Sequence, residues 1–172
     1  MPPRDPTSSY LRRWLAKVGL ARGPVLDLPG GHGRHTRWLL CAGHSVISAD
    51  LEPQRMVQLA ALSGACSGFF GAVVLDANKT LPFQEKTFVG AVVTDFVCAP
   101  LLQDIAGVLQ PGGWLLFETF ANRGENWRQL PAPGEVERQL RERFVLEDYR
   151  EGAAGPERTA VTVKCFARLR AP

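Results

Sequence analysis

Residues 25–36 read Val-Leu-Asp-Leu-Pro-Gly-Gly-His-Gly-Arg-His-Thr, and no other stretch restricts the fold so strongly. A short apolar run meets a Pro/Gly turn and passes at once into helical periodicity, the pattern of a strand, a tight turn and a helix. Gly30, Gly31 and Gly33 permit positive φ and let a ligand approach the backbone closely. In open α/β sheets, ligands bind at the carboxyl ends of strands, near the point where strand order reverses. This turn is therefore the first place to look for a site. Its glycine pattern alone is weak, because G-x-G-x-x-T lacks the third glycine of the dinucleotide fingerprint.

The rest of the chain repeats the same alternation. Ser8 or Ser9 caps a helix over 10–19, with Leu11, Trp14, Leu15 and Val18 at helical spacing. Further helices are expected over 34–42, 53–62, 100–109 and 134–143, and strands over 25–28, 45–49, 70–75, 88–94 and 114–120. Gln110-Pro111-Gly112-Gly113 reads as a turn between the helix over 100–109 and the next strand. Such alternation implies a parallel sheet covered on both faces. The last two strands, 144–149 and 159–169, have only a short connection and should form an antiparallel hairpin. A nicotinamide-dependent oxidoreductase would be expected to continue with parallel units, so the hairpin argues against that class. Pro-rich residues 1–7 are expected to be flexible, leaving 8–172 as a single domain.

Composition removes other classes. With 172 residues, 45% of them hydrophobic, the chain is long enough for one real core. A net charge of +3 is too small to mark a nucleic-acid partner. Cys41, Cys66, Cys98 and Cys165 are far apart, without zinc spacing, and read as reduced thiols with no metal. No apolar run approaches the roughly 18–20 residues of a membrane span. The opening MPPRDPTSSY lacks a signal-peptide core, so a cytoplasmic location is expected.

Three acids sharpen the site. Asp27 lies inside the first strand, before the glycines, where its carboxylate would repel a pyrophosphate but suit an ammonium group. Asp50 ends the second strand, the place for an acid that accepts both hydroxyls of a ribose. Asp76 ends the third, where it can accept from the exocyclic amine of adenine. Singly, each is an ordinary turn residue; together, at three consecutive strand ends, they make one connected site.

Over residues 20–170 the chain resembles the class I methyltransferases that use S-adenosylmethionine (SAM). VLDLPGGHGRHT looks like their first motif, ISADLEP like the acidic loop after the second strand, LDANKTLPFQEKTF like the adenine loop, and LQPGGWLLFETF like the turn before the fifth strand. The closing ENWRQLPAPGEVERQLRERFVLEDYREG is similar to small bacterial methyltransferases of the tellurite-resistance type. The resemblance implies a Rossmann-like three-layer α/β sandwich, with a mostly parallel seven-stranded sheet in the order 3-2-1-4-5-7-6 and a C-terminal antiparallel hairpin. It further implies that Asp27, Gly30, Gly31 and Gly33 cradle the methionine part of SAM. Asp50 would bind the ribose, Leu51 would lie against the adenine, Asp76 and Ala77 would meet the adenine edge, and Thr94 and Phe96 would line the floor. Two positions depart from the family. Pro29 stands where the first glycine is usual, fixing φ and removing an N–H. Val89 stands where an acid is common, and the neighbouring Gly90 is expected to weaken its strand.

A methyl group on a sulfonium already has an activated leaving group, so proximity and alignment can supply most of the catalysis. No catalytic triad is expected or found. Asp95 and Glu118, near the ends of the fourth and fifth strands, and His32 at the first helix start are the candidates for a general base; His35 shares the position of His32. Trp127 is the better candidate for an acceptor wall, and Trp114 reads as core. Without a long insertion, the acceptor side should be open to a bulky acceptor, or closed by residues 122–133 or by a second chain in a homodimer. The expected function is methyl transfer from SAM to a small-molecule acceptor, away from membranes. The alternative is a SAM-binding or degenerate scaffold protein of the same fold, without transferase activity.

Overall fold

The computed structural model describes residues 8–19, 22–61, 68–96, 99–120 and 126–171. The expectations for residues 1–7, Leu62, Cys66, Cys98, the loop before Asn126 and the Trp127 side chain lie outside them.

Helix α1 (Ser9–Val18) opens at Ser8, whose hydroxyl oxygen accepts from the N–H groups of Tyr10 and Leu11 at 3.2 and 3.4 Å. This satisfies two of the four donors that a helix start leaves open. Its buried face carries Leu11, Trp14 and Leu15, and Trp14 stacks on Phe166 with ring centroids 4.3 Å apart. Strand β1 (Pro24–Leu28), helix α2 (Arg34–Cys41), β2 (Ser45–Asp50), α3 (Pro53–Ala60) and β3 (Phe70–Val74) follow. Then come β4 (Phe88–Thr94), α4 (Ala99–Val108), β5 (Leu109–Glu118), a 3-10 turn (Asn126–Gln129), α5 (Glu135–Arg141), β6 (Phe144–Ala154) and β7 (Ala160–Leu169).

The seven strands form one sheet in the order β3-β2-β1-β4-β5-β7-β6. The pairs from β3 to β5 are parallel, and β7 runs antiparallel to both β5 and β6. The Rossmann-like α/β sandwich expected from the sequence is the fold observed. Strand alternation sends Leu26, Leu28, Ala91, Val93, Leu115 and Phe117 into a core shared with α4 and α5. Val25, Val92, Leu116 and Phe166 point the other way, into a second core with α1 and α2. The polar side chains two residues further along these strands, Asp27, Thr94 and Glu118, therefore lie on the α1–α2 face at the carboxyl end of the sheet.

Some boundaries differ from expectation. Strand β5 starts at Leu109, paired with Phe88, instead of after the Pro-Gly-Gly segment. A register shift between Phe88 and Gly90, with Gly112 at φ 73°, lets the strand absorb that segment as an irregularity. The strand ends at Glu118, two residues early, and β6 runs on to Ala154. All seven residues of β4 are buried, Gly90 included. A Cβ at Gly90 would run into the indole of Trp114, so the missing side chain is what lets Trp114 lie flat across the sheet. Trp114 is core, as read from the sequence.

Candidate functional site

At the carboxyl end of the sheet the parallel strands β1, β2 and β4 diverge, and two cavities of about 320 and 260 Å³ open there. Both are bounded by Pro29, Asp50 and Arg55. The larger extends over Gly30 and Gly31 to His32, His35, Thr94 and Asp95. The smaller runs the other way, along Leu51, Asp76, Ala77 and Phe96. A further cavity of about 420 Å³ lies at the opposite strand ends, between Lys86, Leu109, Arg143 and Arg170. None of the strand-end carboxylates faces it, so size alone does not mark the site.

Asp27 is 1% exposed, on β1 beneath the start of α2. Its Oδ2 accepts the Thr36 hydroxyl at 2.5 Å, while the buried Oδ1 accepts no hydrogen bond from the described residues. His35 Nδ1 lies 4.0 Å from that oxygen and 3.5 Å from the Thr94 hydroxyl. Burial pushes the Asp27 carboxyl up to about 7, against the opposing influence of the Thr36 bonds. An oxygen acceptor that is out of water and unused is the feature an incoming cation would satisfy.

Asp50 is also buried, but its oxygens are engaged. Oδ2 accepts the Gly31 N–H at 2.8 Å; Oδ1 accepts the Glu52 N–H at 3.0 Å and faces Arg55 Nη1 at 3.4 Å. The carboxylate thus fixes the glycine turn to the end of β2. Gly31 has φ 52°, and a Cβ there would meet nothing within 4 Å, because it would project into the open cleft. Gly33 serves packing instead: it is the N-cap of α2 at φ 77°, and a Cβ would collide with Leu59 of α3. Gly30 is similarly hemmed in by Ser48. The Leu28–Pro29 peptide is cis, and Pro29 forms wall in both cavities.

Asp76 closes an Asx turn, accepting the backbone N–H and the side-chain amide of Asn78, both at 3.0 Å. Those bonds hold its carboxyl below the ordinary carboxylate range. Leu51 is exposed, Ala77 buried and Phe96 half-buried around the same cavity. Asp95 is exposed on the wall of the larger cavity at φ 57°, an uncommon backbone conformation for a non-glycine residue, with its N–H bonded to Glu118 O at 3.0 Å. His32 is exposed on the same wall. Glu118 is separate. It is 1% exposed, lines neither cavity, and has Lys164 Nζ 3.0 Å from Oε1 across the β5–β7 pair.

The structure therefore gathers Gly30, Gly31, Asp50, Leu51, Asp76, Ala77, Thr94, Phe96, Asp95 and His32 around one cleft, buries Asp27 beneath it next to the cavity-lining His35, and leaves Gly33 and Glu118 behind its walls. Sequence reasoning missed Arg55, which joins the two cavities. Its signal was its position one turn into a helix that opens at Pro53, directly after Asp50. Among the described residues, no group of three His, Cys, Asp or Glu side chains could hold a metal ion. No helix among them is long and apolar enough to cross a membrane.

The family described as "Methyltransferase domain" matches residues 26–117, more than half of the chain and the whole of this cleft. The chain belongs to the methyltransferase domain family. Its enzyme class is SAM-dependent methyltransferase, and SAM is the methyl donor. Solved methyltransferases share its fold at low sequence identity. A SAM-dependent methyltransferase from Methanosarcina mazei is 17% identical, with a TM-score of 0.70 over 98% of this chain and 100% of that one. TehB from Haemophilus influenzae is 16% identical, with a TM-score of 0.73 over 95% of this chain and 63% of its own. The N-methyltransferase NodS from Bradyrhizobium japonicum is 15% identical, with a TM-score of 0.70 over 94% of this chain and 92% of its own. No curated protein sequence matches.

Two local features fit the cofactor: the unused buried oxygen of Asp27, and the open space above Gly31 where a side chain would intrude.

Proposed function

We propose that residues 8–172 form one domain that transfers the methyl group of SAM to a small-molecule acceptor, with the cofactor lying across the paired cavities. The observation that carries this reading is the continuity of the cleft: Asp50 borders both halves, with Asp27 under one and Asp76 beside the other. SAM supplies a methyl group on a positively charged sulfur, ready to leave. The protein's residues supply place and surroundings. Asp27 receives the ammonium on its unused oxygen, and the glycine turn gives the amino-acid part room. Asp50 accepts from the ribose with the lone-pair capacity that Gly31, Glu52 and Arg55 leave to it. Leu51, Ala77 and Phe96 flank the adenine, whose amino group faces Asp76.

Asp95 is the residue best placed to meet the acceptor. It is exposed, next in sequence to Thr94, and fixed by the Glu118 carbonyl in a conformation that the backbone alone disfavours. As a base or a hydrogen-bond acceptor it would orient the attacking atom and take its proton. Glu118, paired with Lys164, supports this loop and is not the base. Small net charge and the absence of a basic stripe in the sequence speak for a small acceptor over nucleic acid, and scattered free cysteines for a cytoplasmic setting.

The test is transfer from methyl-labelled SAM into a cell extract, followed by separation by size. Label should enter the low-molecular-weight fraction, and Asp95→Asn should reduce the rate by about 100-fold or more if Asp95 is the general base. Label found only in protein or nucleic acid would overturn the small-acceptor assignment.

A further inference from the structure

The cofactor's ammonium has to reach an acid that is entirely out of water. Asp27 is 1% exposed and His35 is 4% exposed, yet His35 forms part of the wall of the larger cavity. A buried carboxylate beside an apolar core is costly unless a charge or several hydrogen bonds compensate. Here the compensation comes from the Thr36 hydroxyl and backbone and from the Arg34 charge, and Oδ1 is still left without a hydrogen-bond partner among the described residues. The other oxygen faces His35 Nδ1 at 4.0 Å, too far for a hydrogen bond and close enough for a proton on the imidazole to offset the carboxylate's charge.

Resting on the cofactor placement above, we propose that Asp27 and His35 form a proton-holding pair, and that binding of the cofactor's ammonium at Asp27 expels one proton. His35 is then a positioning residue: it acts through Asp27, setting how readily that carboxyl gives up its proton. In the free protein, the proton sits on the pair and removes the buried charge. When the ammonium arrives, its N–H groups donate to Oδ1, the carboxylate ionises, and the proton leaves to solvent. No other bond changes.

The surroundings agree. From the first turn of α2, Arg34 favours the ionised carboxyl, and from the end of β2, Asp50 opposes it. From α2, Thr36 donates to it, and from β4 the Thr94 hydroxyl meets the same nitrogen of His35. The two charges act in opposite directions, and burial is the largest influence, leaving the carboxyl at about 7. A cofactor site titrating there binds most tightly above neutral pH and weakens on mild acidification.

The experiment is calorimetric titration with S-adenosylhomocysteine, which keeps the ammonium and lacks the transferable methyl. Dissociation constants are measured from pH 5.5 to 7.5, with each pH repeated in two buffers of different ionisation enthalpy. The wild-type constant should rise by about 20-fold between pH 7.5 and 5.5, with close to one proton released per ligand at pH 6. Asp27→Asn, which still accepts the Thr36 hydroxyl, should bind with no pH slope and no proton release. His35→Gln should bind at pH 8 and shift the midpoint downward, because the shared proton loses one of its two sites; this variant decides the matter if Asp27→Asn binds too weakly to measure. A pH-independent constant in the wild type, a midpoint unmoved in His35→Gln, or a slope retained in Asp27→Asn would overturn the proposal. Absence of binding at every pH would instead remove the cofactor placement on which it rests.

Discussion

Asp27 and Asp50 are the same residue type, both buried at neighbouring strand ends, and their partners give them different physical roles. Asp50 is held by two backbone N–H groups and an arginine, so its carboxylate is part of the turn's architecture. Asp50→Ala should therefore weaken SAM binding by about 1–3 kcal/mol, the scale for leaving buried polar partners unpaired. Calorimetry on the variant checks this, and an unchanged affinity would remove the ribose assignment. Asp27 carries an unused oxygen instead, and its carboxyl is raised to about 7 by burial. Between the unfolded value near 4 and about 7, the folded state binds more protons than the unfolded one. Its contribution to the stability of the ligand-free protein therefore falls as pH rises through that window. Urea unfolding at pH 5 and pH 8 should show Asp27→Asn gaining on the wild type by up to about 2.6 kcal/mol at the higher pH. A pH-independent difference between the two proteins would contradict the burial argument.

At the scale of elements, the sequence was legible wherever a local signal coincided with a tertiary one. Strand β4 matches its expected span residue for residue, and α1 is capped by Ser8, one of the two serines expected there. The start of β5 was not legible. Pro111-Gly112-Gly113 carries the local chemistry of a loop, and only pairing of Leu109 with Phe88 draws it into the sheet. What Gly90 accommodates was not legible for the same reason, since Trp114 lies on the neighbouring strand. Gly90→Ala should destabilise the fold by about 1–3 kcal/mol through overpacking, measured by denaturant unfolding. A loss no larger than a few tenths of a kcal/mol would mean that Trp114 can move aside freely. Within the site, the three acids were readable as strand ends. Which of their oxygens remained usable was not, because Thr36, Gly31, Arg55 and Asn78 decide that in three dimensions.

At the scale of the whole molecule, the sheet order brings the glycine turn after β1 and the ends of β2 and β4 to one rim, where the strand order reverses. A ligand that bridges the two cavities ties these elements together, so binding should stabilise the fold. S-adenosylhomocysteine at 100 times its dissociation constant should add about 2.7 kcal/mol to the unfolding free energy, and less at pH 5.5 for the same total ligand. The most direct test is a crystal structure of the protein with S-adenosylhomocysteine. The ammonium should lie against Asp27 Oδ1 above Gly31, the ribose at Asp50, and the adenine among Leu51, Ala77 and Phe96. A ligand lying in the reverse direction, or seated between Lys86, Arg143 and Arg170 at the other end of the sheet, would contradict the account.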